Sequence, residues 1–152
     1  MTYKIMSLYL DTSVIGGYFD KEFQEDSRLL FENVKDKKYS VFISDLKENE
    51  LKYAPENVRN LLNEIDYTLL KVMPEHENLA EEYINEKVVG ETSRDDCIHI
   101  ATATINEIDV LVSWNFKHIV NVQRIMGYNS VNIKNGYKSL EIRNPKEVAI
   151  YE

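Results

Sequence analysis

The chain has 152 residues, the size of one ordinary domain, and its 26 acidic against 18 basic side chains leave a formal charge of −8. With 43% hydrophobic residues it carries enough apolar surface to bury a core, which excludes intrinsic disorder. No run of about 18 uncharged apolar residues occurs, and Met1 to Met6 lead into a short apolar run ending in Asp11, not into a signal-peptide core. A soluble, cytoplasmic protein with no membrane partner is expected. The lone Cys97 excludes an internal disulfide and a zinc site built on several thiolates, and it suits a reducing compartment.

Short apolar or β-branched runs alternate with longer segments of 3.6-residue period, the signature of βαβ units and a parallel sheet. In chain order the pattern predicts a strand over 8–10, a helix over 27–34, a strand over 39–43 and a helix over 57–65. A strand over 67–72, a helix over 78–88 and a well-marked helix over 93–108 follow. In the last of these Ser93 is a suitable N-cap, and Asp95 and Asp96 sit in the first turn. A strand over 110–113, a helix over 117–126 with Ile119, Val122 and Ile125 inward, and a closing strand over 139–142 complete the series. Gly16-Gly17 reads as a turn, and there is no repeat or Pro/Gly/Ser-rich linker. The expectation is one three-layer α/β/α domain over residues 1–152 with a central, mostly parallel sheet.

In open α/β sheets ligands bind outside the carboxyl ends of the strands, so polar residues just after strands are the first candidates. That filter selects Asp11 with Thr12 and Ser13, Ser44 with Asp45, and Ser113 with Asn115; helix starts on the same edge add Asp95 and Asp96. Carboxylates that meet there repel one another. Two unit charges ~5 Å apart at an effective dielectric of ~20 cost about 3 kcal/mol, so a converging set demands a shared proton or a bound cation. Oxygen donors without a cysteine pair favour Mg²⁺ or Mn²⁺ over zinc.

These segments resemble the PIN-domain ribonucleases and, within them, the toxin half of VapBC-type toxin–antitoxin pairs. Leu8-Tyr9-Leu10-Asp11-Thr12-Ser13 looks like that family's first strand and catalytic aspartate. Ile43-Ser44-Asp45 with Glu50 six residues after the serine resembles its second motif, where Glu48 competes with Glu50. Asp95-Asp96-Cys97 opening a helix resembles the third and selects Asp96, and Ser113-Trp114-Asn115 is similar to the fourth, with Asn115 where the family has aspartate. The likeness covers about residues 7 to 120. It implies a PIN-like fold and a metal-dependent endoribonuclease in which Asp11, Glu50 and Asp96 hold Mg²⁺ or Mn²⁺. Asn115, with Thr12 and Ser113, would position water or substrate, the amide oxygen of Asn115 being able to accept a water or ligate a metal. It also implies an RNA substrate cut to leave a 5′-phosphate and a 3′-hydroxyl, an antitoxin protein as partner and a homodimer. The alternative is a weakly active or inactive module of the same fold that binds RNA or protein.

A haloacid-dehalogenase-type phosphatase would carry a second aspartate where Ser13 stands, and nucleotide-binding glycine loops are absent. His99 is expected to be a packed core residue, His76 and His118 surface residues, and Trp114 either a base-stacking ring or packing at the sheet edge. Charge is uneven: residues 1–116 hold 12 basic and 23 acidic groups, whereas residues 117–152 hold six basic and three acidic ones. Lys117, Arg124, Lys134, Lys138, Arg143 and Lys146 are thus candidates to meet RNA phosphates or an acidic antitoxin segment.

Overall fold

The computed structural model describes residues 5–47 and 51–151. Its strands are β1 (Met6–Leu10), β2 (Tyr39–Ser44), β3 (Tyr67–Leu70), β4 (Val110–Val112) and β5 (Glu141–Arg143). Between and after them run α1 (Thr12–Gly17), α2 (Gln24–Lys35), α3 (Glu56–Asn63), α4 (Pro74–Asn85), α5 (Arg94–Ile105), α6 (Val122–Lys134) and α7 (Pro145–Val148). Short 3₁₀ turns over Asp45–Lys47 and Glu91–Ser93 prepare the exits from β2 and the entry to α5.

All four strand pairings are parallel and the sheet order is β3-β2-β1-β4-β5. Parallel pairing needs a crossover between neighbours, and crossovers are right-handed, so the helices divide between two faces. Leu8, Leu10, Val41, Ile43, Val110 and Val112 face one way and bury against Val14 and Ile15 of α1, Leu30, Phe31 and Val34 of α2, and Leu61 and Leu62 of α3. Tyr9, Leu111 and Ile142 face the other way, into Leu79, Ala80 and Tyr83 of α4, Ile100, Ala101 and Ala103 of α5, and Tyr128 and Val131 of α6. The result is the three-layer α/β/α arrangement. The central strands read as continuous apolar runs because both of their faces are covered.

Helix α5 is buried on nearly every side from Cys97 to Thr104, which is why its sequence shows little polar face. Ser93 stands at its N-cap position but makes no side-chain cap bond, because the preceding 3₁₀ turn already feeds the chain into the helix. Helix α6 corrects the expectation of a helix over 117–126. Its start is set by Asn121, whose backbone is extended and whose Oδ1 accepts the Arg124 amide at 2.9 Å. The cap shifts the helix phase: Ile119 is fully buried but in the preceding turn, Val122 is 75% exposed, and Tyr128, Val131 and Asn132 face the core. His76 is likewise buried, not superficial, and its Nδ1 accepts the Met73 amide at the start of α4 at 3.0 Å.

The Gly16-Gly17 pair ends α1 instead of forming a free turn. A Cβ on Gly17 would lie 2.7 Å from both Ser27 Oγ and Trp114 Nε1, so only glycine lets the indole reach its seat. Among the described residues no helix is long and apolar enough to cross a membrane.

Candidate functional site

Strand order reverses at β1: the chain steps outward to β2 and β3, then returns to place β4 on the other side of β1. Connections leave the carboxyl ends of β1 and β4 toward opposite faces, and a crevice opens between them. The ladder continues one residue past each strand, with the Asp11 amide donating to Val112 O at 3.3 Å and the Ser113 amide to Arg143 O at 3.1 Å. Asp11 and Ser113 therefore stand side by side at the crevice although 102 residues separate them.

Asp11 is only 4% exposed, and each of its oxygens has a hydroxyl donor. Ser113 Oγ donates to Oδ2 at 2.6 Å, and Ser13 donates to Oδ1 through its hydroxyl at 2.5 Å and its amide at 3.1 Å. The Ser13 amide bond is also the N-cap of α1. Each serine oxygen in turn accepts a backbone N–H from the β4 exit, Trp114 to Ser13 at 2.9 Å and Asn115 to Ser113 at 2.9 Å. These bonds orient the hydroxyl protons toward the carboxylate. Burial nevertheless pushes the Asp11 carboxyl up from its ordinary 3.8 to about 6; the serine donors oppose this shift and the nearby Asp96 charge adds to it.

Asp96 lies in the first turn of α5, where the helix dipole favours a negative charge. Asn115 Nδ2 faces it, 3.4 Å from Oδ2, while Asn115 Oδ1 accepts the His118 amide at 3.0 Å. Asn115 thus turns a donor, not a ligating oxygen, toward the carboxylate. Hydrogen bonds run without a break from Asp11 through Ser113 and Asn115 to Asp96.

The structure brings Asp11, Asp96, Ser113 and Asn115 together at this edge. Glu50 and its competitor Glu48 lie outside the described residues. Thr12 is exposed at the first position of α1, and the hydroxyl that holds Asp11 belongs to Ser13, one residue on. Asp95 is exposed, and its neighbour Arg94 pairs with Glu81 of α4 at 2.5 Å. Ser44 is buried at the end of β2, and Asp45 accepts the Val72 amide at 2.8 Å, tying that exit to the end of β3.

Beneath the carboxylates, on the same face of β1 as Asp11, the buried Tyr9 hydroxyl meets His99 Nδ1 at 2.5 Å and joins β1 to α5. Burial raises the Tyr9 phenol above its ordinary range, so it stays protonated. His99 is thereby a packed core residue. His118 is half-buried, its Nδ1 without a hydrogen-bond partner among the described residues.

Trp114 is seated, not presented: it stacks on Phe23 with centroids 4.3 Å apart, and its indole N–H donates to Ser27 Oγ at 2.8 Å. Most cations of the last quarter are also engaged. Lys138 pairs with Glu107 at 3.2 Å, Lys134 with Glu86, Arg143 with Glu141 and with Glu147 at 3.7 Å, and Arg124 donates to Val88 O.

No protein-family model matches this chain, and no curated protein matches it.

Among the described residues no group of three or more His, Cys, Asp or Glu side chains is disposed to hold a metal ion. The two carboxylates that do converge are hard oxygen donors, and burial, with a smaller contribution from the Asp96 charge, holds a proton on Asp11 up to about pH 6. Such a pair fits Mg²⁺ or Mn²⁺ and offers nothing to a softer metal.

Proposed function

We propose that this protein is a PIN-type metal-dependent endoribonuclease acting as the toxin of a toxin–antitoxin pair. The observation that carries the reading is the meeting of Asp11 and Asp96 at the strand-order reversal, linked through Ser113 and Asn115. The likeness of the four short motifs to that family supports it and supplies the toxin role, the antitoxin partner, the homodimer and the cytoplasmic setting. The lone Cys97 suits that setting, since it is buried and its thiol is pushed up to about 12 by burial.

Asp11 and Asp96 would hold the cation, with Glu50 as third carboxylate. A divalent cation bound there lowers the pKa of a water and offsets charge on phosphoryl oxygens. The rest falls to the chain. Ser13 and Ser113 fix both oxygens of Asp11 and leave the carboxylate no freedom to rotate. Asn115 steadies Asp96 without adding a further negative charge to those three carboxylates. Burial of Asp11 keeps the local dielectric low, so each of these interactions is stronger than in water. No histidine is needed as base, and His99 is committed to Tyr9.

The amide at Asn115 favours a second reading, a module of the same fold that binds RNA or protein with little or no cutting. One experiment separates the two. A panel of end-labelled RNAs is incubated with the wild type and with Asp11→Asn in Mn²⁺. Cutting by the wild type alone, leaving 5′-phosphate and 3′-hydroxyl ends, supports the nuclease; no cutting above the variant overturns it.

A further inference from the structure

The β4 exit carries one aromatic ring that packs on Trp114 and Phe23 with one side and leaves about half of its surface to solvent. Phe116 is 47% exposed, directly after Asn115, and it leans edge-on against Trp114 with ring centroids 6.0 Å apart. Its footing is rigid. Trp114 is locked by Phe23, Ser27 and the bare Cα of Gly17. Asn121 Nδ2 donates to the carbonyls of Phe116 and Lys117 at 2.9 and 3.0 Å, while its Oδ1 caps α6. Lys117 beside the ring is exposed and makes no ion pair among the described residues.

We infer that Phe116 is a stacking subsite for one unpaired nucleobase of a single-stranded RNA, with Lys117 meeting an adjacent phosphate. The inference rests on the nuclease reading for the identity of the polymer and adds what that reading lacks, the part of the substrate that gives affinity. A chain of charge −8 repels phosphates at long range, and three of its six late cations are already in ion pairs. Affinity must then come from an uncharged contact, and the face of a base on an aromatic ring is the sequence-tolerant one. A ring already held in place by its neighbours loses little freedom on binding. The exposed half of one phenylalanine, roughly 100 Å², is also far below the ~800 Å² per partner of a stable protein interface. Bases inside a duplex are stacked on each other and cannot reach the ring, so single strands or loops are selected.

The test uses the whole chain in EDTA, where no cutting occurs, with Trp114, the only tryptophan, as the reporter next to Phe116. Three probes are compared: a short oligoadenylate, an abasic sugar–phosphate strand of equal length, and an RNA duplex. A stacked base is worth roughly a five- to 150-fold change in affinity. Oligoadenylate is expected to bind best, Phe116→Ala and Phe116→Leu to weaken it within that range, and Phe116→Tyr to stay within about threefold of the wild type. Equal binding of the abasic strand or the duplex, unchanged binding by Phe116→Ala, no binding of any strand, or a wild-type dimer that Phe116→Ala dissolves would each overturn the subsite. Its failure is separable from that of the nuclease: Mn²⁺-dependent cutting with an unchanged KM in Phe116→Ala discards the subsite alone. Phe116-dependent binding without Asp11-dependent cutting discards the nuclease alone.

Discussion

Two strand exits of this molecule look alike in sequence and differ in what they do. Strand β2 closes on Ser44 with Asp45 next, and after β4 the chain reads Ser113-Trp114-Asn115. At the first exit Asp45 accepts the Val72 amide, joining neighbouring strand ends. At the second, Ser113 turns its proton to Asp11 and Asn115 turns its amide to Asp96. The difference lies in sheet order. Strand β2 sits between β1 and β3, where the winding does not reverse, whereas β4 meets β1 where it does. A polar residue at a strand end is a fastener in one place and part of the proposed site in the other.

The comparison is broken most severely if the two exits prove interchangeable in activity. Asp11→Asn and Asp96→Asn are each expected to lower Mn²⁺-dependent RNA cutting by more than about 100-fold, beyond the range of an outer-shell partner. Asp45→Asn should change cutting by less than about threefold, measured on the same substrate.

The next largest effect is on stability. Between about pH 4 and 6 the folded chain holds a proton on Asp11 that the unfolded chain has lost, so stability falls as pH rises through that window. The shift corresponds to about 3 kcal/mol once Asp11 is fully ionised. In EDTA at pH 8, Asp11→Asn is therefore expected to be more stable than the wild type in urea melts. The gap should close by about pH 4, and Mn²⁺ should raise the melting temperature of the wild type alone. A variant no more stable at pH 8 would show that the carboxylate is not strained by its burial.

Ser113→Ala removes the donor to Asp11 Oδ2 and is expected to reduce cutting about 10- to 100-fold. Ser44→Ala, at the end of β2, should leave cutting near the wild-type rate. Gly17→Ala drives a methyl into Ser27 and Trp114 and should cost about 1–3 kcal/mol in urea unfolding, with a shift in tryptophan fluorescence. Smallest of all, Lys134→Ala breaks a solvent-exposed pair with Glu86 and should leave the urea unfolding midpoint unchanged within the error of the measurement.

Part of the candidate site was legible in the amino-acid sequence. Asp11 follows an apolar run and Asp96 opens a helix, and both facts are local. Other residues were legible only as kinds. Thr12 and Ser13 offer the same hydroxyl, and the turn of α1 hands the bond to Ser13. Trp114 and Phe116 offer the same stacking face, and the bare Cα of Gly17 with the Ser27 hydroxyl buries one of them against Phe23. The glycine was the one available signal, and only knowledge of what lies opposite it gives it meaning. The helix over 117–126 was displaced because periodicity reports that a face exists, while Asn121 decides where the first turn begins.

The order of apolar runs and 3.6-period segments by itself determined that this chain would build a parallel sheet with helices on both sides, because burial of each face is imposed locally, residue by residue. Only the tertiary structure decided which polar residues would meet, since Asp11, Asp96, Ser113 and Asn115 become neighbours through the return of β4 to the side of β1. Contacts across 102 residues of chain leave no periodic trace. They exist because strand order, crossover hand and the room left by one glycine agree on a single crevice.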